Sequence, residues 1–317
     1  MKTRTVGVVA CLVSLLLAGP ARTCDLCAIY IASEAQGAGD RGFYAGVAEQ
    51  YTYFNTLQAE NRTVPNDGEY LHSYNTQFYA AYRFNRRVGV QLNVPYLYKD
   101  FGSDAAGSAH ESGLGDICLL GNYLLFEKAD EDSTFRWNLI GGVKFPTGDP
   151  AHLNPEEPDF ATGISGHDLA LGSGSFDGII GTGVYGRWHR FMGTASAQYG
   201  IRTEGAFGYR FANDLSWQAG PGYYLLLNEN HTLALQLICS GETKGQDQMG
   251  DMVMPPGAVM EMGHTAETIV FLGPQLTYTF NNRLSALGAV DVPAHIHSTG
   301  DTLVPDLRVR ASIAWRF

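Results

Sequence analysis

Sulfur-containing side chains are concentrated in one segment of the C-terminal third of the chain. Five of the seven methionines fall between residues 249 and 262, and a histidine follows at position 264. Thioether sulfur is a soft ligand that selects Cu(I), and methionine is also a flexible apolar residue that fills folded loops. The segment therefore predicts either a copper-collecting loop or a loop packed by thioether side chains. The residues concerned are Met249, Met252, Met254, Met260, Met262 and His264.

Two cysteines lie close together near the start of the chain, in Thr-Cys-Asp-Leu-Cys-Ala. Cys24 and Cys27 form a CxxC pair, and Ala28 stands where a c-type haem site needs histidine, so haem attachment is excluded. Two thiolates do not complete a zinc site. In an exported protein the pair predicts either a small disulfide loop or a soft-metal site.

A third group that could do chemistry is His295-Ile-His297, flanked by Asp291 and Ser298. Residues two apart on a strand share a face, so the imidazoles could hold a metal or activate a nucleophile, as in a lipid hydrolase. The sequence has no Gly-x-Ser-x-Gly motif. We interpret the histidines as a polar strand end and expect the protein not to be an enzyme.

The elements that must position these groups are β-strands, as the last eleven residues indicate. Two rows alternate there with the period of a strand. One row is apolar and contains Leu307, Val309, Ala311, Ile313, Trp315 and Phe317, and the other contains Arg308, Arg310, Ser312, Ala314 and Arg316. A lipid-facing row beside a water-facing row suits the closing strand of a transmembrane β-barrel. The final Phe317 resembles the end of bacterial outer-membrane proteins, and we expect the barrel-assembly machinery to recognise this strand.

Alternating segments separated by turn residues recur about twelve times along the chain. Short turns and long connections alternate along the chain, and the long connections lie near 58–69, 101–112, 148–173 and 245–264. This pattern predicts an all-β fold, a transmembrane antiparallel β-barrel of about 12 strands, with short turns at the periplasmic rim and long loops outside the cell. The predicted strands are 42–57, 70–84, 87–100, 113–127, 134–147, 174–188, 191–204, 208–227, 231–244, 265–280, 283–298 and 303–317.

The N-terminus predicts export. Lys2 and Arg4 precede an apolar run, and Gly19-Pro20-Ala21 follows with small residues, which is the layout of a cleaved signal peptide. We therefore divide the chain into a signal peptide at 1–21, a CxxC segment at 22–41 that is periplasmic or plugs the barrel, and an outer-membrane barrel at 42–317. The net charge of -11 argues against nucleic acid, because phosphate binding needs a basic face.

Three motifs in the middle of the chain resemble one family. Ser112-Gly-Leu-Gly-Asp-Ile117 opens one strand, Gly142-Val-Lys-Phe-Pro-Thr-Gly-Asp149 closes the next, and Gly172-Ser-Gly-Ser-Phe-Asp177 opens a third. Together they resemble the outer-membrane transporters associated with the meta-cleavage pathway of phenol degradation, clearly over residues 112–202. The resemblance implies uptake of small, often aromatic or hydrophobic, molecules. Gly115 and Asp116 also have a structural interpretation, because glycine permits unusual backbone angles and aspartate caps turns.

Charged residues at inward-facing positions are the predicted contacts of a solute in the lumen. Their mixed signs would give a transverse field and modest selectivity. They are Arg83, Asp116, Lys144, Asp177, Arg202, Asp291, Arg308 and Arg310. The sequence thus predicts a channel of the bacterial outer membrane for passive passage of small solutes, surrounded by lipid, without a resident cofactor or nucleic-acid partner. A copper-collecting protein and a lipid hydrolase are the alternatives.

Overall fold

The computed structural model describes residues 41–59, 61–66, 68–103, 107–156, 169–250, 260–261, 265–299 and 301–317. Twelve long strands lie in these ranges, and β4 among them has two segments. They are β1 (Gly42–Ala59), β2 (Tyr70–Arg83), β3 (Val88–Ser103), β4 (Gly107–Leu114 and Cys118–Ala129), β5 (Ser133–Lys144), β6 (Asp177–Trp188), β7 (Phe191–Ile201), β8 (Asp214–Leu227), β9 (His231–Lys244), β10 (Glu267–Phe280), β11 (Leu284–Ser298) and β12 (Asp301–Arg316). The signal peptide and the CxxC segment up to residue 40 lie outside the described residues, so both stay predictions.

The twelve strands form one closed antiparallel sheet. Each strand pairs with its neighbours along the chain, and β12 pairs with β1, from Arg316 opposite Tyr44 to Asp301 opposite Ala59. Closure leaves no unpaired strand edge, so the wall satisfies its own backbone hydrogen bonds. The predicted transmembrane β-barrel of about 12 strands is confirmed. No α-helix in the described ranges could cross a membrane.

The barrel wall has an apolar outer face and a polar inner face, as the alternation predicts. On β12, Ile313 and Trp315 are exposed on the outside, whereas Arg308 and Arg310 are buried inside. Exposed aromatic side chains gather at the periplasmic strand ends, where they form a belt at the membrane interface. The belt contains Phe43, Phe84, Phe126, Phe135, Trp188, Phe191, Tyr223, Phe280, Trp315 and Phe317.

The prediction of a long loop at 101–112 is wrong. β3 continues to Ser103 and β4 begins at Gly107, with these two residues directly opposite each other in a hairpin. Side chains on the first half of β4 are mostly small or polar and exposed, so no apolar periodicity marks this segment. β6 and β8 begin at Asp177 and Asp214, later than predicted, because the residues before them fold over the lumen.

Three connections meet over the extracellular end of the barrel and have a small core of their own. Leu153, Tyr209 and Met249 are at most 1% exposed and pack together, with Phe207 and Phe211 against them. Short segments at Tyr209–Arg210, Gln248–Met249 and Met260–Glu261 pair into a three-stranded sheet. These connections therefore narrow the entrance and position residues at its inner side.

Candidate solute cavity in the barrel lumen

A cavity of about 220 Å³ lies inside the barrel, toward the extracellular end. The part of its wall on β1, β2, β3 and β12 has the apolar residues Phe54, Leu71, Leu97, Leu303 and Pro305 beside the uncharged polar residues Thr52, Ser73, Asn75 and Thr302. The facing wall, on β4, β5, β8, β9, β10 and the segment after β7, carries Asp116, Lys144, Arg202, Asp214, Glu242, Lys244 and Glu267. Lys99 and Arg308 are the charged residues of the first part, and the second part also has apolar residues, among them Leu171, Phe211, Ile269 and Phe271. The cavity is therefore amphipathic.

Four charged residues of the cavity wall and Asp177 behind them form one chain of ion pairs, which we call the loop-anchoring network. Lys144 Nζ lies 2.6 Å from Asp116 Oδ2 and 2.8 Å from Asp177 Oδ2. Arg202 continues the chain, with Nη1 3.0 Å from Asp177 Oδ2 and Nε 2.6 Å from Asp214 Oδ1. All five side chains are buried. Buried charges persist only when they are paired and hydrogen-bonded, and here each acid has a cation within contact.

The loop-anchoring network brings the three sequence motifs together. Asp116, from the first motif, accepts hydrogen bonds from Gly148 N at 3.0 Å, from Ser173 N at 3.0 Å and from Ser173 Oγ at 2.8 Å. Gly148 lies in the second motif, and Ser173 lies in the third. Asp177 likewise accepts a bond from Thr203 N at 2.9 Å. The network therefore fixes loop backbone to the inside of the wall.

Two glycines make this approach of loop segments possible. A Cβ atom on Gly172 would lie 2.4 Å from the backbone of Gly148, and one on Gly148 would lie 2.4 Å from the carbonyl oxygen of Leu171. Both contacts are too short for any side chain. The glycines of the second and third motifs are thus needed for close packing of the loop after β5 against the segment before β6.

A second group of charges spans the lumen at the lower boundary of the cavity, and we call it the cross-lumen network. Arg308 on β12 donates to Asp291 on β11 at 3.1 Å and to Glu242 on β9 at 2.8 Å, passing β10. Arg310 binds Asp291 through two nitrogens, at 2.8 and 3.2 Å. The Arg308 guanidinium also stacks 3.9 Å from the ring centroid of Phe271. These contacts hold arginine side chains across the interior.

Below this network, toward the periplasm, uncharged amide side chains fill the lumen. We call them the carboxamide layer, and it contains Gln50, Gln77, Gln91, Asn93, Asn122, Asn138, Gln198, Gln218, Gln236 and Gln275. Gln275 donates to Gln236 at 3.2 Å, and Gln236 donates to Thr194 at 3.1 Å. Gln77 and Asn93 are 0% exposed, whereas the walls of an open aqueous pore would be accessible to water.

The void at the junction of the two regions is small. It measures about 20 Å³ and is lined by Gln50, Gln218, Arg308 and Arg310 among others. Such a volume holds about one water molecule. In the described part of the chain, the lumen therefore narrows from a solute-sized cavity to a water-sized void, and passage of a solute requires side chains to move.

Seven of the eight predicted lumen residues lie in these two networks. Asp116, Lys144, Asp177 and Arg202 belong to the loop-anchoring network, and Asp291, Arg308 and Arg310 belong to the cross-lumen network. Arg83 is buried at the periplasmic end, where its Nη1 lies 3.4 Å from the carbonyl oxygen of Arg86. Contact with a solute stays a prediction for all eight.

Several network residues were missed by the sequence analysis. Glu242 and Lys244 share the inward row of β9 with Ser240, so strict alternation could have found them. Asp247 follows that strand, pairs with Lys244 at 2.7 Å and accepts a bond from Tyr209 Oη at 2.7 Å. Ser173 and Asp247 lie in connections, where no periodicity marks the inward side.

The predicted copper ligands are only partly described. Met249 is 1% exposed within the apolar cluster of the extracellular connections, and Met260 lies opposite it in the three-stranded sheet. Met252, Met254, Met262 and His264 lie outside the described residues, as do Cys24 and Cys27. The position of Met249 favours the packing interpretation for that residue.

The histidine group of β11 is divided between the two faces of the wall. A register shift falls between Pro293 and His295, where the strand pairs with Phe271 and Val270. His295 is exposed, whereas Asp291 and Ser298 are buried. The bulge therefore separates the imidazoles from the acid and the hydroxyl that a hydrolase would need beside them.

Comparison with known proteins assigns the family. A family model described as "Putative MetA-pathway of phenol degradation" matches residues 58–296. The chain belongs to this family. A search of curated proteins found no match.

The chain also has the fold of a solved outer-membrane channel. The COG4313 outer membrane channel from Pseudomonas putida F1 superposes with a TM-score of 0.62 at 13% identity, covering 87% of this chain and 96% of that chain. The beta domain of the Bordetella autotransporter BrkA gives a TM-score of 0.45 at 10% identity, covering 88% and 100%. The closed barrel and the family together place the protein in the bacterial outer membrane.

Proposed function

We propose that the barrel passes small apolar and aromatic solutes across the outer membrane by passive diffusion, and that these solutes bind in the lumen cavity on the way. The observation that carries the proposal is the amphipathic cavity, which apolar side chains and ion-paired side chains line together inside a closed barrel. The family description, which names phenol degradation, supports an aromatic solute.

The apolar side chains of the cavity provide a weak but sufficient driving force for solute binding. An aromatic ring that buries about 150–250 Å² gains about 4–6 kcal/mol at about 25 cal/mol per Å². Association loses a comparable amount of translational and rotational free energy. Net binding is therefore weak, and a channel needs weak binding because its solute must leave again.

The charged wall favours neutral solutes over ions. Lys144 is already paired with Asp116, and Arg202 with Asp214. An ionic solute would have to displace one of these pairs or lose its hydration without a partner. A phenol hydroxyl can donate a hydrogen bond to a wall carboxylate and adds no charge.

Planar-bilayer recordings with the purified protein test this proposal. We expect phenol to reduce the ion current in a concentration-dependent manner, and benzoate, of similar size but charged, to do so less. Ser73→Trp fills the cavity and should abolish the effect of phenol, because Ser73 lines it. Ala80→Trp, on the outer face of the same strand, is the matched control and should keep the effect. A wild-type current that does not respond to phenol, or equal responses of the two variants, contradicts the proposal.

Copper collection is the second candidate, and one observation favours it. Met249 and Met260 lie directly opposite each other in an antiparallel pair, so the backbone brings two methionine positions of this segment together. A Cu(I) titration of the wild type against Met252→Leu/Met254→Leu/Met262→Leu distinguishes the candidates. Stoichiometric Cu(I) binding that the triple variant loses supports copper collection, and equal weak binding by both proteins rejects it.

A further inference from the structure

Six arginines lie at the periplasmic ends of β11, β12, β1, β2 and β3, which are consecutive around the barrel. We call this set the arginine arc, and it contains Arg41, Arg83, Arg86, Arg87, Arg283 and Arg316. The chain as a whole has a net charge of -11, so the arc is a local concentration of the opposite sign. The next turn around the rim, at residues 130–132, carries three carboxylates instead.

Four members of the arginine arc are open to solvent. Arg41, Arg86, Arg87 and Arg283 are exposed, and the Arg86 side chain is 68% exposed even though it pairs with Glu127 at 2.9 Å. The guanidinium groups of Arg87 and Arg283 have neither an ion pair nor a hydrogen bond within the described ranges. Arg190, elsewhere on the rim, is different, because its guanidinium caps the carbonyl oxygens of Tyr224 and Leu225.

The carboxylates beside the arc leave it with a clear excess of positive charge. Glu127, on β4 beside the arc, pairs with Arg136 at 2.8 Å as well as with Arg86. The second acid is the C-terminal carboxyl group of Phe317, at the end of β12. Two acids therefore stand against the six arginines in the described part of this sector.

Aromatic residues fix the depth of the arc in the membrane. Phe43, Phe84 and Phe317 are exposed on the outer face at the same strand ends, and the rings of Phe43 and Phe317 lie 5.4 Å apart. Aromatic belts lie at the level of the lipid headgroups. The free guanidinium groups of Arg87 and Arg283 are therefore at the depth of the headgroup phosphates of the periplasmic leaflet.

We propose that the exposed members of the arginine arc, Arg41, Arg86, Arg87 and Arg283, bind the phosphate groups of anionic glycerophospholipids in the periplasmic leaflet. A guanidinium presents paired donors that match two phosphate oxygens, and a cluster of cations at a membrane surface attracts anionic lipid. The acidic turn at 130–132 repels the same headgroups, so lipid binding is confined to one sector of the rim. This inference concerns the outer surface and does not depend on the identity of the transported solute.

Native mass spectrometry of the purified protein, exchanged with phosphatidylglycerol or phosphatidylcholine of identical acyl chains, tests the proposal. We expect the wild type to retain several-fold more phosphatidylglycerol than phosphatidylcholine. Arg87→Gln/Arg283→Gln should lose this preference. Lys128→Gln/Arg190→Gln removes two cations from the rest of the rim and is the matched control that should keep it. Heat-dependent mobility on a gel shows that each variant is a folded barrel.

Three results would overturn the proposal. The first is equal retention of the two lipids by the wild type, and the second is an equal loss of preference in both double variants. The third is displacement of phosphatidylglycerol by an equal concentration of free glycerol phosphate, because the arc would then bind soluble anions and not a lipid surface.

Discussion

The two halves of the lumen fill equivalent inward-facing positions with different chemistry. Toward the extracellular end the side chains are charged and paired, and they surround a cavity of about 220 Å³. Toward the periplasm they are amides and buried apolar side chains such as Tyr185 and Met192, packed so closely that Gln77 and Asn93 are 0% exposed. The difference shows how one alternating sequence pattern can produce either an open space or a filled one.

The physical reason lies in what each kind of side chain needs. A buried ion pair is stable only with additional hydrogen bonds, and these come from loop groups such as Gly148 N, Ser173 N and Thr203 N. The charges therefore hold loops against the wall and leave the centre open. Amides need no counter-charge, and some bond to one another, as Gln275 does to Gln236, so they can fill the centre.

The largest effect should come from removing the central cation of the loop-anchoring network. Lys144→Met leaves Asp116 without an ion-pair partner in a site that is 3% exposed, and we expect a loss of about 3–5 kcal/mol in the free energy of unfolding. Urea unfolding in detergent, followed by tryptophan fluorescence, measures it. Lys128→Met is the control, because that amine is 66% exposed in its pair with Asp130 and should contribute less than about 1 kcal/mol. Equal small losses in the two variants would mean that the ion pairs in the extracellular half of the lumen are solvated like those on the surface.

The next effect concerns the boundary between the halves. Arg308→Ala removes the side chain that joins β12 to Glu242 across the lumen, and Arg310 remains to neutralise Asp291. We expect single-channel conductance to rise several-fold, because the water-sized void beside Arg308 then connects with the cavity above. Arg83→Ala, which removes an inward arginine outside both networks, should leave conductance nearly unchanged. An unchanged conductance in Arg308→Ala would place the constriction in another layer.

Sequence alone predicts the wall of this barrel well. Residues 307–317 alternate in sequence as they do in the structure, with Trp315 outside and Arg310 inside, because lipid and water select opposite side chains at every second position. The prediction fails where the chain leaves the membrane. The second strand of the hairpin at Ser103 and Gly107 is exposed and mostly small or polar, so no period distinguishes it from a loop.

The candidate site is only half predictable, for a related reason. Asp116, Lys144 and Asp177 could be named from sequence because they lie on or beside strands whose inner face is known. Ser173 and Asp247 could not, since their positions depend on how long connections fold back over the lumen. Sequence also gives no distances across the barrel, so the link from Arg308 to Glu242 needs the closed structure.

A smaller effect is expected from the carboxamide layer. Gln236→Leu removes its hydrogen bonds with Gln275 and Thr194, and we expect a loss of about 1–3 kcal/mol, because both partners stay buried without that amide. Conductance should not change, since leucine fills a similar volume in a layer that is already packed. A rise in conductance equal to that of Arg308→Ala would show that the amides, and not the arginine, close the lumen.

The smallest effect tests whether the upper half is electrically neutral toward its solute. Raising KCl from about 0.1 M to about 1 M shortens the screening length from about 10 Å to about 3 Å, yet the phenol response should change less than about two-fold, because a neutral solute meets compensated charges. Arg202→Gln leaves Asp214 without its ion pair. In recordings without phenol, the reduction of the ion current by a cation such as benzylamine should then depend clearly on the salt concentration. If salt abolishes the phenol response of the wild type, an uncompensated charge anchors the solute. The apolar side chains of the cavity would then not be what binds it.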